Sequence, residues 1–212
     1  MGYEIVKFFL RLAFRIAFDF HYEGRDELPK DESCIYVSNH RTNADPPLVG
    51  SGATRSLSFM AKEELFKNKF FAWLIGSLGA FPVSRGKGDM GVIDKSVECL
   101  KNGRNLIIFP EGTRSKDGKV HRGHTGAALV AAKSGKKLIP VGVCFGEKLK
   151  FRTKVTVKYG KPIDPAEYTE ICDNPNPRNL VKLKNRYMAE ITALAEGEQS
   201  AAENETENCK ND

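Results

Sequence analysis

Short apolar runs, rich in β-branched residues, recur along the chain at Cys34–Val37, Leu57–Met60, Ala80–Val83, Leu106–Phe109, Leu138–Phe145 and Val155–Tyr159. Each has the length and make-up of a buried strand. Segments of helical period lie between them. Residues 91–103 gather Val92, Ile93, Val97 and Leu100 on one face and close on Gly103, and residues 125–135 form a small-residue helix closing on Gly135. Strands alternating with helices predict an α/β sheet with helices on its faces. The apolar stretch from Phe70 to Ser84 is too short for a membrane span and predicts a buried helix holding Phe70, Trp73 and Leu74, then a strand. An Asn176–Pro177 start signal opens a final amphipathic helix, and beyond Glu196 the chain turns polar and acidic without periodicity.

The first twenty residues follow another pattern. Wound as a helix at about 100° per residue, Glu4, Lys7, Arg11, Arg15 and Asp19 fall within roughly 120° of arc, and the rest of the cylinder is apolar. Lys7, Arg11 and Arg15 interrupt any signal-peptide core, and no uncharged run is long enough to span a bilayer. A wide apolar arc with a mainly cationic stripe suits a helix lying in the membrane interface, although the same pattern fits a helix packed against protein. The expected organisation is an amphipathic interfacial helix over 1–25, a globular domain over 26–196 and a disordered acidic tail over 197–212.

Composition adds limits. With 212 residues, 41% hydrophobic and 28% charged, the chain has the profile of one globular domain, and its net charge of +6 favours anionic partners. The five cysteines are scattered without a C-x-x-C pair, so reduced thiols in a cytosolic compartment are expected, with no disulfide framework or metal site.

Two stretches carry candidate chemistry. In "SNHRTNADPP", residues 38–47, His40 can accept a proton and Asp45 can fix its tautomer. On a helix a five-residue spacing leaves side chains about 140° apart. Pro46 and Pro47, however, push residues 40–45 into a loop. Asp45 is then also a natural cap for a helix starting at Pro46, and both readings stay open. In "NLIIFPEGTRS", residues 105–115, a buried strand delivers Glu111, Gly112, Thr113 and Arg114 to its carboxyl end, where open α/β sheets bind ligands. Arg114 offers a planar fork for phosphate, and Gly112 permits close backbone approach. An internal Glu111–Arg114 pair in a surface turn is the alternative. Lys62 and Arg85 each follow a short apolar run and would add cations to the same crevice. A G-x-G-x-x-G at 86–91 superficially meets a dinucleotide fingerprint with Glu111, but Pro82, Ser84 and Arg85 spoil the strand it needs. His121 and His124 lack partners at zinc spacing.

Taken in order, these motifs resemble the glycerolipid acyltransferase family. Its N-H-x-x-x-x-D block is matched by Asn39, His40 and Asp45, and its short strand ending in arginine by Gly79, Phe81 and Arg85. The block F-P-E-G-T-R-S stands unchanged at Phe109–Ser115, and the late P-V strand is matched by Pro140 and Val141. The likeness covers residues 20–165, with two departures: many members carry F-K where this chain has Gly123 and His124, and the N-terminal segment is short beside members with clear membrane spans. The resemblance implies an α/β fold with a mixed, mostly parallel sheet flanked by helices and preceded by the amphipathic N-terminal helix. It implies transfer of an acyl chain from acyl-CoA or acyl carrier protein to lysophosphatidic acid, giving phosphatidic acid, at the cytoplasmic face of the membrane. By that likeness His40 is the general base and Asp45 orients it, while Lys62, Arg85, Glu111, Gly112, Thr113 and Arg114 hold the substrate phosphate. Neither cofactor nor metal nor nucleic acid is implied. Glycerol-3-phosphate or another lysophospholipid as acceptor, a nucleotide-binding oxidoreductase, and a non-catalytic lipid-binding protein are the rival readings.

Overall fold

Alternate side chains along the strands divide between two apolar layers, one on each face of a single sheet. Ile35, Val37, Leu106, Ile108 and Leu138 point to one layer, and Tyr36, Ile107, Ile139, Val141 and Val143 to the other. The computed structural model of the chain describes residues 2–77, 79–83 and 90–208. Its strands are β1 (Asp19–Glu23), β2 (Ile35–Ser38), β3 (Leu57–Lys62), β4 (Ala80–Val83), β5 (Asn105–Ile108), β6 (Leu138–Phe145) and β7 (Lys154–Tyr159), in the order β1-β7-β6-β2-β5-β3-β4. Every neighbouring pair is parallel except β6–β7. The expected mixed, mostly parallel sheet is therefore present, and the carboxyl ends of β2, β5, β3 and β4 share one edge.

The helices are α1 (Gly2–Ala17), α2 (Asp45–Gly52), α3 (Lys69–Ser77), α4 (Met90–Lys101), α5 (Gly126–Ser134) and α6 (Pro177–Asn208). α4, α5 and α6 cover the first layer, and α1 and α2 the second. α6 starts where Asn176 accepts the Arg178 N–H at 2.9 Å, and Leu180, Leu183, Tyr187, Ile191 and Ala195 form its buried stripe.

Four expectations change. The sheet begins at Asp19, not after a linker, because β1 is an edge strand whose Phe20 faces inward while Asp19, His21 and Glu23 face out. α6 continues to Asn208, so residues 197–208 are helical where a disordered tail was expected; their Ala, Glu and Gln content favours helix. Trp73 is 69% exposed instead of buried, because α3 lies at the sheet's edge, chiefly against β4 and a neighbouring turn, and packs inward through Ile75.

The fourth concerns α1. Two cations of its stripe face the protein, while Arg15 stays exposed: Lys7 is 4% exposed, and the Arg11 Nε donates to the Ser51 carbonyl at 2.6 Å on α2. Ile5, Phe8, Phe9, Leu12 and Ile16 point outward, each 47–63% exposed. Among the described residues no helix is long and apolar enough to cross a membrane.

Candidate active site

β2 ends at Ser38, and the next side chain anchors the turn that leaves it. Asn39, almost fully buried, donates its amide to the Val143 carbonyl at 3.1 Å and accepts the Val143 N–H at 2.8 Å, so its side chain continues the ladder with β6. The chain then turns away from the sheet carrying His40.

His40 Nδ1 lies 2.8 Å from Asp45 Oδ2, with the imidazole partly exposed and the carboxylate wholly buried. Asp45 Oδ2 also accepts the N–H groups of Arg41 at 2.6 Å and Thr42 at 2.8 Å, and Oδ1 accepts the Thr42 hydroxyl at 2.8 Å. Four partners thus fix this carboxylate in place. It caps nothing: α2 starts at Asp45 itself, Ala44 is its N-cap, and no side chain caps it. The expected cap is replaced by a carboxylate that folds back over residues 40–42. The imidazole stacks on Phe109 at 4.0 Å between ring centroids, which fixes its plane.

Glu111 ties the neighbouring loop to this one. It is buried, with Oε1 accepting the His40 N–H and Oε2 the His121 N–H, each at 3.0 Å. The Ser115 N–H returns a bond to the His40 carbonyl at 2.7 Å, closing a ring of contacts between the two loops. Arg41 adds a third tether. Its guanidinium donates to the Phe145 carbonyl at 2.6 Å and the Gly146 carbonyl at 2.9 Å, and it lies over the Phe145 ring at 3.9 Å. Burial draws its pKa down, and the nearby Asp45 opposes that shift.

The phosphate candidates divide. Gly112, at φ 72°, makes the turn after Glu111 and leaves Thr113 and Arg114 exposed at the mouth of the site. Arg114 Nη1 donates to Asn43 Oδ1 at 3.2 Å, so it bridges to the His40 loop and forms no pair with Glu111. Lys62 ends β3 on the same sheet edge, two strands from β2 and so about 10 Å away. Arg85 and most of the glycine motif at 86–91 lie outside the described residues. Both oxygens of Glu111 are engaged by backbone N–H groups, so in this structure it clamps the His40 and His121 segments together. The same bonds remove it from the ribose role that a dinucleotide fingerprint would require.

Asn39, Arg41 and Phe109 shape the site without having been singled out for those roles by spacing. Gly123, where many family members carry Phe, is buried, and a Cβ there would stand 2.6 Å from Met188 Sδ and 3.1 Å from Pro110 Cβ. Met188 of α6 thus fills the space that a larger residue would need. His124 follows, exposed beside Gly112, with its N–H bonded to the Pro110 carbonyl at 2.8 Å and its carbonyl accepting the Tyr187 hydroxyl at 2.9 Å. Among the described residues no cluster of three or more His, Cys, Asp or Glu could hold a metal ion.

Residues 19–144 match the family model described as Acyltransferase. The chain belongs to the acyltransferase family. Its relatives include the 1-acyl-sn-glycerol-3-phosphate acyltransferase of Streptococcus pneumoniae (strain ATCC BAA-255 / R6), 34% identical over 83% of this chain and 66% of that protein. Another is the lyso-ornithine lipid O-acyltransferase of Pseudomonas aeruginosa, 32% identical over 64% of this chain and 51% of that protein. The chain thus spans slightly less than two thirds of the first relative's length and about half of the second's. Among solved structures, the 1-acyl-sn-glycerophosphate (LPA) acyltransferase PlsC from Thermotoga maritima superposes with a TM-score of 0.70 at 29% identity, covering 90% of this chain and 79% of that one. Within the family fold, the site just described occupies the carboxyl edge of adjacent central strands.

Proposed function

We propose that this family member transfers the acyl group of an acyl thioester to the free sn-2 hydroxyl of 1-acylglycerol-3-phosphate, forming phosphatidic acid. The observation that carries this reading is the His40–Asp45 contact at 2.8 Å, set beside the exposed 112–114 turn. With Nδ1 turned to Asp45, His40 offers Nε2 to the acceptor hydroxyl. It takes the proton as the oxygen attacks the thioester carbonyl, and Asp45 stabilises the imidazolium that forms. Collapse of the tetrahedral intermediate breaks the C–S bond, and the thiolate recovers a proton from the imidazolium. The equation balances as one ester formed and one thiol released, with no cofactor in it. Arg114, Lys62 and Arg85 are the proposed phosphate anchors. The N–H groups of Thr113 and Arg114, which bond to nothing among the described residues, are suited to anionic oxygen.

A second acceptor class has specific support in the similarity to a lyso-ornithine lipid enzyme. For either acceptor the substrate resides in a bilayer, and the outward apolar face of α1 supports peripheral or monotopic docking at its surface, which we place on the cytoplasmic side as part of the proposal. The test is a panel of lysophosphatidic acid, glycerol-3-phosphate and lyso-ornithine lipid against acyl-CoA and acyl carrier protein donors, with His40→Ala alongside. The expected result is preference for lysophosphatidic acid and a loss of about 10²–10⁴-fold in His40→Ala with the fold intact. Retained activity in that variant refutes the base assignment, and a preferred lyso-ornithine acceptor selects the second reading.

A further inference from the structure

We infer that the turn at residues 147–153, between β6 and β7, is a second lipid-docking element that seats an anionic bilayer surface on Phe151, Lys148, Lys150, Arg152 and Arg15. The inference rests on the membrane-docking reading of α1. Phe151 is 74% exposed, more than any other large hydrophobic side chain among the described residues. Lys148, Lys150 and Arg152 flank it, all exposed, with Glu147 the one acidic residue of the turn. An aromatic side chain ringed by cations matches the boundary between acyl chains and anionic headgroups.

The turn is held in this display. Arg152 has φ 65°, the one positive value at a non-glycine position among the described residues. Its N–H donates to the Ala17 carbonyl at 2.7 Å, while the Lys150 N–H donates to the Thr153 hydroxyl at 2.9 Å and the Thr153 N–H to the Lys150 carbonyl at 3.1 Å. The Ala17 bond fastens the turn to the carboxyl end of α1, next to the helix's exposed apolar face. There Arg15 and Arg152 border an open cleft with Phe18, Asp19 and Phe20. Neither arginine is in an ion pair among the described residues, and Asp19 is occupied by the His21 ring at 2.7 Å. Two guanidinium groups bordering one cleft attract a phosphodiester headgroup by charge.

The turn also supplies what α1 lacks. Lys7 and Arg11 are turned into the protein, which leaves α1 an apolar outer face with Arg15 as its exposed cation and little attraction of its own for anionic lipid. The cations of the turn provide that attraction, and a second point of attachment restricts the tilt of the site against the bilayer.

The test is flotation of the full chain with vesicles of phosphatidylcholine alone or with phosphatidylglycerol added. The variants are Phe151→Ser, a triple Lys148→Gln/Lys150→Gln/Arg152→Gly, in which glycine suits the positive φ, and Phe8→Ser/Phe9→Ser on α1. Thermal unfolding checks that each is folded. The expected result is that the triple variant loses at least about tenfold in binding to the anionic vesicles, with the loss shrinking as salt rises. Phe151→Ser loses about fivefold on both vesicle types. In a Trp73→Phe chain, Phe151→Trp is expected to be quenched by brominated lipid. If the parent floats, the turn variants float equally well and the new tryptophan is unquenched, the inference is overturned while docking through α1 stands. If the parent does not float with either vesicle, both readings fall.

Discussion

Replacing Asp45 by asparagine removes a charge while disturbing the loop geometry little. The carboxylate is wholly buried and receives the His40 ring, two N–H groups and the Thr42 hydroxyl. An asparagine carbonyl in the place of Oδ2 keeps the three nitrogen contacts, and the Thr42 hydroxyl can rotate to meet the new amide. On the proposed mechanism, what disappears is the attraction between a fixed anion and the imidazolium that would form during transfer. Opposite unit charges about 4 Å apart attract by about 4 kcal/mol at an effective dielectric constant near 20. At about 1.4 kcal/mol per tenfold, kcat should fall by about 10³. The acceptor KM should change little, because the carboxylate contacts the base and not the phosphate. The assay follows thiol release from the acyl thioester under saturating acceptor, with circular dichroism melts to confirm folding. A kcat within tenfold of the parent refutes the electrostatic argument, as does a loss expressed wholly in KM.

Three further outcomes follow from the tethers and the thiols. Asn39→Ala leaves the N–H and carbonyl of Val143 without their side-chain partner, and should lower stability by about 2–4 kcal/mol in urea titration. Glu111→Gln keeps one oxygen for two N–H donors, so kcat should drop by about ten- to a hundredfold with little change in acceptor KM; a rise in KM alone would put Glu111 on the substrate instead. Burial, with Glu32 nearby, pushes the Cys34 thiol up to about 11, so at about pH 8 it stays protonated and the exposed Cys172 should react with maleimide well before it; equal labelling rates in peptide mass spectra would contradict this.

The strands at Leu106–Phe109 and Leu138–Phe145 were legible because burial on both faces demands unbroken apolar runs. β1 was not, since an edge strand alternates, and its partner β7 lies far away in sequence. For α1, periodicity measures the angle between two faces but not which face meets the protein. Packing of Lys7 and Arg11 against the body of the protein decided that. The prolines after Asp45 announced a loop, yet the direction of the carboxylate was decided by N–H groups at Arg41 and Thr42 that composition cannot rank. Arg41 carried no signal at all, because its role depends on carbonyls at Phe145 and Gly146, distant in sequence.

The His40 loop hangs from β6 through Asn39 and Arg41, from the segment after β5 through Glu111, and from α2 through Asp45. So many anchors leave it little freedom to adapt to a different acceptor. The exposed rim at Gly112–Arg114 is tied to that loop more lightly, through the Arg114 bond to Asn43. On the proposed mechanism, acceptor choice can therefore drift at the rim while the proton-transfer groups stay unaltered, and a library aimed at a new headgroup belongs at residues 113, 114 and 124, not at 39–45 or at Gly112, whose φ of 72° favours glycine.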